Sequence, residues 1–233
     1  MITYTKTIIS FANSRKNSGR CIAGQEYNES GSGQWIRPVS ERPSHEISEE
    51  ERRYQDGSDP QLLDIITIPC KHPNPVSHQN ENHVIEPQYY WKKEGNITWG
   101  QIGDWLDHPP NLWGVGDGSY AGINNRVAVG QENGISLYLV AVQKIQLIVG
   151  AKAPQYSAKR SVQAVFTYAG TVYRLDVTDP VIERNGLAQE DGNYEIENVI
   201  LCVSLGDPHQ TPGKLESYFY KLVAAVIFKE RFS

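Results

Sequence analysis

The chain has 233 residues, 39% of them hydrophobic and 21% charged, which is enough to bury one large core or two small ones and too apolar for a disordered chain. Its net charge of −5 excludes indiscriminate binding to phosphate backbones, because counterion release needs an excess of Lys and Arg; any nucleic-acid contact has to come from a local basic patch or from stacking. No window approaches the roughly 18 consecutive apolar residues of a membrane-spanning helix.

The three cysteines, Cys21, Cys70 and Cys202, are far apart and include no CxxC pair. That pattern points to reduced thiols and not to a disulfide framework. The opening Met1-Ile-Thr-Tyr-Thr-Lys-Thr shows no charged region followed by an apolar stretch, so a cytoplasmic location is expected. The 20 Gly and 13 Pro are spread between short β-branched and aromatic runs, as many short strands require.

In chain order, residues 6–12 predict a first strand, 13–19 a polar loop, and 20–27 a second strand. A third strand is predicted over 34–40, where Pro38 implies an edge or a bulge. A helix is predicted within 44–56, opened by a capping box between Ser48 and Glu51. Residues 62–69 predict a buried strand and 72–87 a loop. Residues 88–134 break the rhythm: Trp91, Trp99, Trp105 and Trp113 sit among Gly, Asp and Pro. This stretch is read as a linker or excursion, with a short helix near 98–106 and aromatics packed on one or both neighbours.

The second half is the cleaner β pattern. Residues 137–149 form a long apolar run, and Val162, Ala164, Phe166 and Tyr168 alternate with polar neighbours up to a turn at Ala169-Gly170. Tyr173, Leu175 and Val177 continue the alternation to Asp179-Pro180, giving a hairpin with one buried face. Residues 199–204 and 218–228 predict two more strands around the turn-rich 206–213. The paired alanines leave a helix over 220–228 as the alternative. No internal repeat is visible at residue level. The prediction is a mainly β protein with two barrels, 1–88 and 135–233, joined by a Trp-rich irregular segment over 89–134 with short helices.

Several stretches carry a resemblance: Asn13-Ser-Arg-Lys16 with Gly19-Arg-Cys-Ile-Ala-Gly24, Trp35-Ile-Arg-Pro-Val-Ser40, Gln79-Asn-Glu-Asn82, Val177-Thr-Asp179, Cys202-Val-Ser-Leu-Gly206 and Tyr220-Lys-Leu-Val-Ala-Ala225. On these the chain resembles bacterial dual OB domain-containing proteins along nearly its whole length. The resemblance implies two OB-like barrels and, by analogy of fold, oligonucleotide or oligosaccharide binding; it implies no particular reaction.

The best candidate patch is the loop 13–20 with the nearby strand over 34–40. Arg15, Lys16, Arg20 and Arg37 are placed to meet phosphate, with Trp35 stacking on a base. In the second half Arg174, Tyr218, Tyr220 and Lys221 are candidates for a barrel face, and Lys221 is counted with the ligand-binding residues. Cys70, His72, His78 and His83 match no familiar zinc spacing, so no metal site is assigned. Asp176, Asp179, Glu195 and Glu197 read as surface charge, and Gly114-Val-Gly116-Asp-Gly118 lacks the spacing and setting of a phosphate loop. No cofactor is implied.

The leading expectation is a non-catalytic binding module for single-stranded DNA, RNA or a nucleotide-like ligand. The rivals are a protein-interaction adaptor anchored by Trp99 and Trp113, and an enzyme acting on a nucleotide between the barrels. No membrane partner is expected.

Overall fold

A computed structural model describes residues 4–28, 33–76, 78–153, 157–210 and 215–232. The chain divides into two compact units, essentially 1–106 and 107–231. The division falls inside the stretch read as an excursion, whose first part joins the first unit and whose remainder joins the second.

The first unit contains β1 (Tyr4–Lys16), β2 (Gly19–Glu26), β3 (Trp35–Val39), the single-turn helix α1 (Glu49–Arg52), β4 (Asp64–Pro73), β5 (Asn82–Ile85), β6 (Lys92–Asn96) and a 3-10 segment, Trp99–Trp105. The sheet runs β1-β2-β3-β5-β4 and closes by pairing β4 with β1, while β6 adds to the outside of β4. β1 serves both neighbours: residues 4–9 pair with β4 and residues 8–16 with β2. A bulge between Ser10 and Ala12 bends the strand between these two jobs. At Gly24, across from the bulge, a β-carbon would lie 2.0 Å from the Ile9 carbonyl oxygen, so only glycine permits this approach. Ile8, Ile22, Ile36, Ile66, Ile68 and Ile85 fill the interior with Trp91.

Three expectations are corrected here. Pro38 lies in an interior strand, between β2 and β5; it is tolerated because the β2 ladder ends at Ile36, before the proline's missing N–H is needed. The helix is one turn long, though its capping box between Ser48 and Glu51 is present. The stretch expected to be a loop over 72–87 contains β5, and β4 continues into it as far as Pro73.

The second unit contains β7 (Arg126–Ala128), β8 (Leu137–Ala153), β9 (Ser157–Tyr168), β10 (Thr171–Val177), α2 (Pro180–Leu187), β11 (Gly192–Gln210), β12 (Ser217–Ile227) and a 3-10 turn, Lys229–Arg231. Its ring is β8-β9-β10-β12-β11, with β11 returning to β8 and β7 added to β12. The core draws on alternate positions of each strand, among them Val162, Ala164 and Phe166 facing Tyr173, Leu175 and Val177. Residues 220–227 are strand, as the β reading had it. Asp179-Pro180 ends the hairpin and also begins α2, which the sequence reading did not predict: Asp179 caps the amides of Val181 and Ile182, and Pro180 occupies the first turn. β11 runs through Gly206 and Pro208 to Gln210, with an irregularity between Leu205 and Pro208 that accommodates the proline; the rest of the expected turn, 211–213, lies outside the described residues.

The two rings have the same order. In each, the third strand runs parallel to the fifth, every other barrel pairing is antiparallel, and the helix falls between the third and fourth strands. This is a five-stranded Greek-key barrel of the OB type, present twice. The repeat is one of topology and is invisible in the residues.

An arginine–carboxylate pair with one buried member, Arg37 in the first unit and Asp179 in the second, pins the parallel seam in both units. In the first, Arg37 of β3 donates to Glu81 at 2.9 Å, and the Arg37 amide bonds the Glu81 carbonyl. In the second, the Asp179 carboxylate accepts from Arg231 and from the Val226 amide at the end of β12, besides capping α2. Replacing Asp179 by Ala takes the carboxylate from Arg231, which keeps the Val226 carbonyl, and removes the acceptor of three amides at once. Asp179→Ala is expected to lower unfolding free energy by about 3–5 kcal/mol. In urea this appears as a reduced midpoint with unchanged slope; an unaltered midpoint would show that the seam holds without the carboxylate.

Candidate ligand-binding faces

The β1–β2 hairpin ends in a tight turn at Asn17-Ser18, where Asn17 takes a left-handed backbone (φ 49°). The register sets Arg15 opposite Arg20 and Lys16 opposite Gly19, so three cations gather at one tip, and the stretch expected to be a loop over 13–19 is strand except for this turn. Trp35 and Arg37 do not join them on the same surface. Side chains alternate along β2, and Arg20 shares its face with Ile22, a core residue. Trp35 pairs with Gln25 and lies with Arg37 on the opposite face.

Arg37 is 4% exposed and is corrected from a phosphate contact to an internal tie: its Nε donates to Glu81 and one terminal nitrogen to the Cys21 sulfur, both at 2.9 Å. Trp35 meets the edge of Phe11 at 6.3 Å, and Tyr27 stacks on Trp105. The Gln25 amide donates to the Trp105 carbonyl at 2.8 Å. The outer face of β2 and β3 is therefore aromatic, and the 3-10 segment partly covers it. In Gln79-Asn-Glu-Asn82, Glu81 holds Arg37, and Asn82 donates to the Gln79 side chain at 3.2 Å, so these groups are turned to internal bonds.

Cys70, His72, His78 and His83 do not converge. Cys70 is in the core, His72 is exposed, and His83 bonds the Tyr4 hydroxyl at 2.7 Å. Burial pushes the Cys70 thiol up to about 12.

In the second unit, β10 and β12 touch at only two residue pairs, Asp176/Leu222 and Val177/Val223. Residues 107–128 form a strap that fills the widening gap. Ile123 bridges Arg174 of β10, and β7 pairs with β12 at Tyr218–Tyr220. Tyr168 donates its hydroxyl to the Pro109 carbonyl, Tyr173 accepts from the Leu112 amide, and the Trp113 indole donates to the Ile135 carbonyl. The glycine-rich run 114–118 is no phosphate cradle, since the amides of Gly114 and Gly116 donate to Asn111 and Asn124. Trp113 is buried, which removes it as an exposed anchor.

Lys221 is likewise corrected from a ligand contact. It is 2% exposed; its ammonium lies 5.3 Å from the centre of the Tyr173 ring and donates to the Gly114 carbonyl at 3.1 Å.

The outer face of β8–β10 carries a cleft of about 350 Å³ with Gly150, Lys152, Ser161, Gln163, Arg174 and Asp191 in its lining. Gln163 stands between the core residues Val162 and Ala164 and so points outward. Its amide nitrogen donates to Asp176 (2.8 Å) and to the Ala121 carbonyl (2.7 Å), while its oxygen accepts Arg174 Nε at 2.8 Å. Lys152 pairs with Asp176, and Arg160 pairs with Asp191 at 2.6 Å. Arg174 is thus oriented through Nε, while its two terminal nitrogens have no protein partner among the described residues. A guanidinium fixed this way is a bidentate site for a carboxylate or phosphate.

The sequence singled out Arg174 without its support. The alternation turns Gln163, Arg174 and Asp176 away from the core, but the bonds among them depend on the hairpin register, which the sequence does not show. Asp179, read as surface charge, is 1% exposed.

Two barrels of one topology, each with an outer face on its second and third strands, define a tandem OB-fold protein. The family model for the dual OB-containing domain matches residues 6–226, and the chain belongs to that family. No curated protein matches the chain. No helix among the described residues is long and apolar enough to cross a membrane.

Burial lowers the Lys221 ammonium to about 8 from its usual 10.5. Between those values the unfolded chain binds the extra proton, so this group's contribution to stability improves as pH rises through that window. Lys221→Met is expected to flatten the rise in a denaturation midpoint measured from pH 8 to 10. An equal rise in both proteins would remove Lys221 as its source.

Proposed function

We propose that the protein is a binding module for single-stranded nucleic acid or a nucleotide-like ligand. The outer face of β8–β10 takes a phosphate, and the hairpin tip at Arg15, Lys16 and Arg20 supplies further phosphate contacts. The observation that carries this reading is the Arg174 guanidinium, oriented by Gln163 and open at its terminal nitrogens in a cleft on the second and third strands of an OB barrel. An acidic protein reads nucleic acid through such local, ordered cations, with stacking adding affinity. On this reading the module binds without chemistry and works in the cytoplasm.

Fluorescence anisotropy with labelled single-stranded DNA and RNA, at low and moderate salt, tests the proposal. Saturable binding that weakens with salt is expected. Arg174→Ala should reduce affinity by about tenfold and lower the dependence on log salt by about one phosphate. Absence of saturable binding to either polymer at micromolar protein would sink the nucleic-acid reading. Binding that is indifferent to Arg174→Ala would remove the β8–β10 face from it.

A further inference from the structure

A second surface of the first unit has the chemistry of a base-stacking platform, remote in the fold from the β2–β3 face. Because β3 and β5 are parallel, they end at the same rim of the barrel. There the chain leaving α1 and the chain leaving β5 are joined by a bridge between Tyr54 and Trp91, both buried. The Tyr54 hydroxyl donates to Asp64 at 2.9 Å, and its amide bonds the Ser58 carbonyl. This anchored pair holds their neighbours outward: Arg53 on one side, Tyr89 and Tyr90 on the other.

Tyr89 and Tyr90 are 45% and 52% exposed. The Arg53 guanidinium carbon lies 5.8 Å from the centre of the Tyr90 ring. Lys92 and Lys93 nearby are engaged by Glu94 and Asp64, whereas Arg53 has no carboxylate partner among the described residues. Neither tyrosine hydroxyl is committed to a protein group among the described residues. Folding alone gives no reason to leave two adjacent aromatic rings and a cation exposed together, since burying the rings would stabilise the domain.

We propose that Arg53, Tyr89 and Tyr90 form a second contact for a single strand of nucleic acid, in which a tyrosine ring stacks on a base and Arg53 meets the adjoining phosphate. The proposal rests on the nucleic-acid reading above and adds a site to it. Rings with an uncommitted guanidinium suit a base and its phosphate. A protein partner fits less well, because the core of such an interface is contiguous and largely apolar. Here the exposed large apolar side chains of the first unit, among the described residues, are Tyr27, Val76, Tyr89 and Tyr90 alone.

The test is anisotropy of labelled oligo(dT) and oligo(rU) with the full chain, comparing Tyr90→Ala, Tyr90→Phe, Arg53→Ala and Arg174→Ala, with thermal unfolding confirming that each variant folds. Tyr90→Ala is expected to weaken binding about tenfold, the scale of one lost base stack. Tyr90→Phe should retain it, and Arg53→Ala should lower the salt dependence. If Tyr90→Ala and Arg53→Ala bind as wild type while Arg174→Ala weakens binding, the platform is overturned and the β8–β10 face stands. If Tyr90→Ala weakens binding and Arg174→Ala does not, the platform stands and that face falls. Wild-type protein that binds neither polymer overturns both, including the case in which Tyr90→Ala instead releases a protein partner.

Discussion

Each barrel depends on closing a sheet through its weakest join, the short parallel contact between third and fifth strands. Parallel pairing is slightly less stable per residue than antiparallel pairing, and in the second barrel it amounts to two residue pairs. Both seams are reinforced in the same way, by an arginine against a carboxylate with one member buried, supplied from different positions. Arg37 sits within the third strand and Glu81 just ahead of the fifth; Asp179 follows the third strand and Arg231 follows the fifth. Equivalent constraints have thus been met by unrelated residues, which explains how one topology occurs twice without a repeat that can be read in the sequence.

The seam also accounts for the segment before the second barrel. A strand pair that diverges leaves backbone groups and apolar side chains facing a gap, and buried polar groups need partners. The strap over 107–128 supplies them, partly as strand and partly through side chains. Trp113, which looked like a docking anchor, proves to be internal cover, whereas Trp99 lies outside the strap and stays partly exposed. The polar groups exposed around the strap mostly serve one another, as with Arg126 on Asp117 and over the Tyr218 ring.

The β architecture was legible because period-2 alternation is a local signal: Val162 to Tyr168 and Tyr173 to Val177 announce a half-buried hairpin without knowledge of the rest of the chain. The Ser48–Glu51 cap was legible for the same reason. Less could be learned of partners distant in sequence. Arg37 looks like a surface cation until Glu81 and Cys21 are brought against it. Lys221 looks like an exposed strand residue until Gly114 is laid across it. Of the candidate patch, the hairpin cations assemble because they are local, whereas Trp35 and Arg37 turn to the other face because Ile36 between them points into the core. Gln163 and Arg174 were identifiable as outward positions, yet their mutual bond depends on hairpin register. Arg53 and Tyr90 could not be joined at all before the Tyr54–Trp91 bridge was known.

The strap has a bearing on the order in which the second barrel matures. Its β7 precedes all the barrel strands in the chain and pairs with the last of them, Arg126 lying opposite Tyr220. Synthesis therefore releases the seam filler first and its partner near the end, and the long loop between them must be closed before either edge is satisfied. Such non-local pairing slows folding. Until β12 arrives, β10 and β11 present unpaired edges, the kind of intermediate that aggregates or exchanges strands with another chain. A fragment begun at residue 135 would carry that exposed seam permanently, so the natural unit of excision starts with the strap.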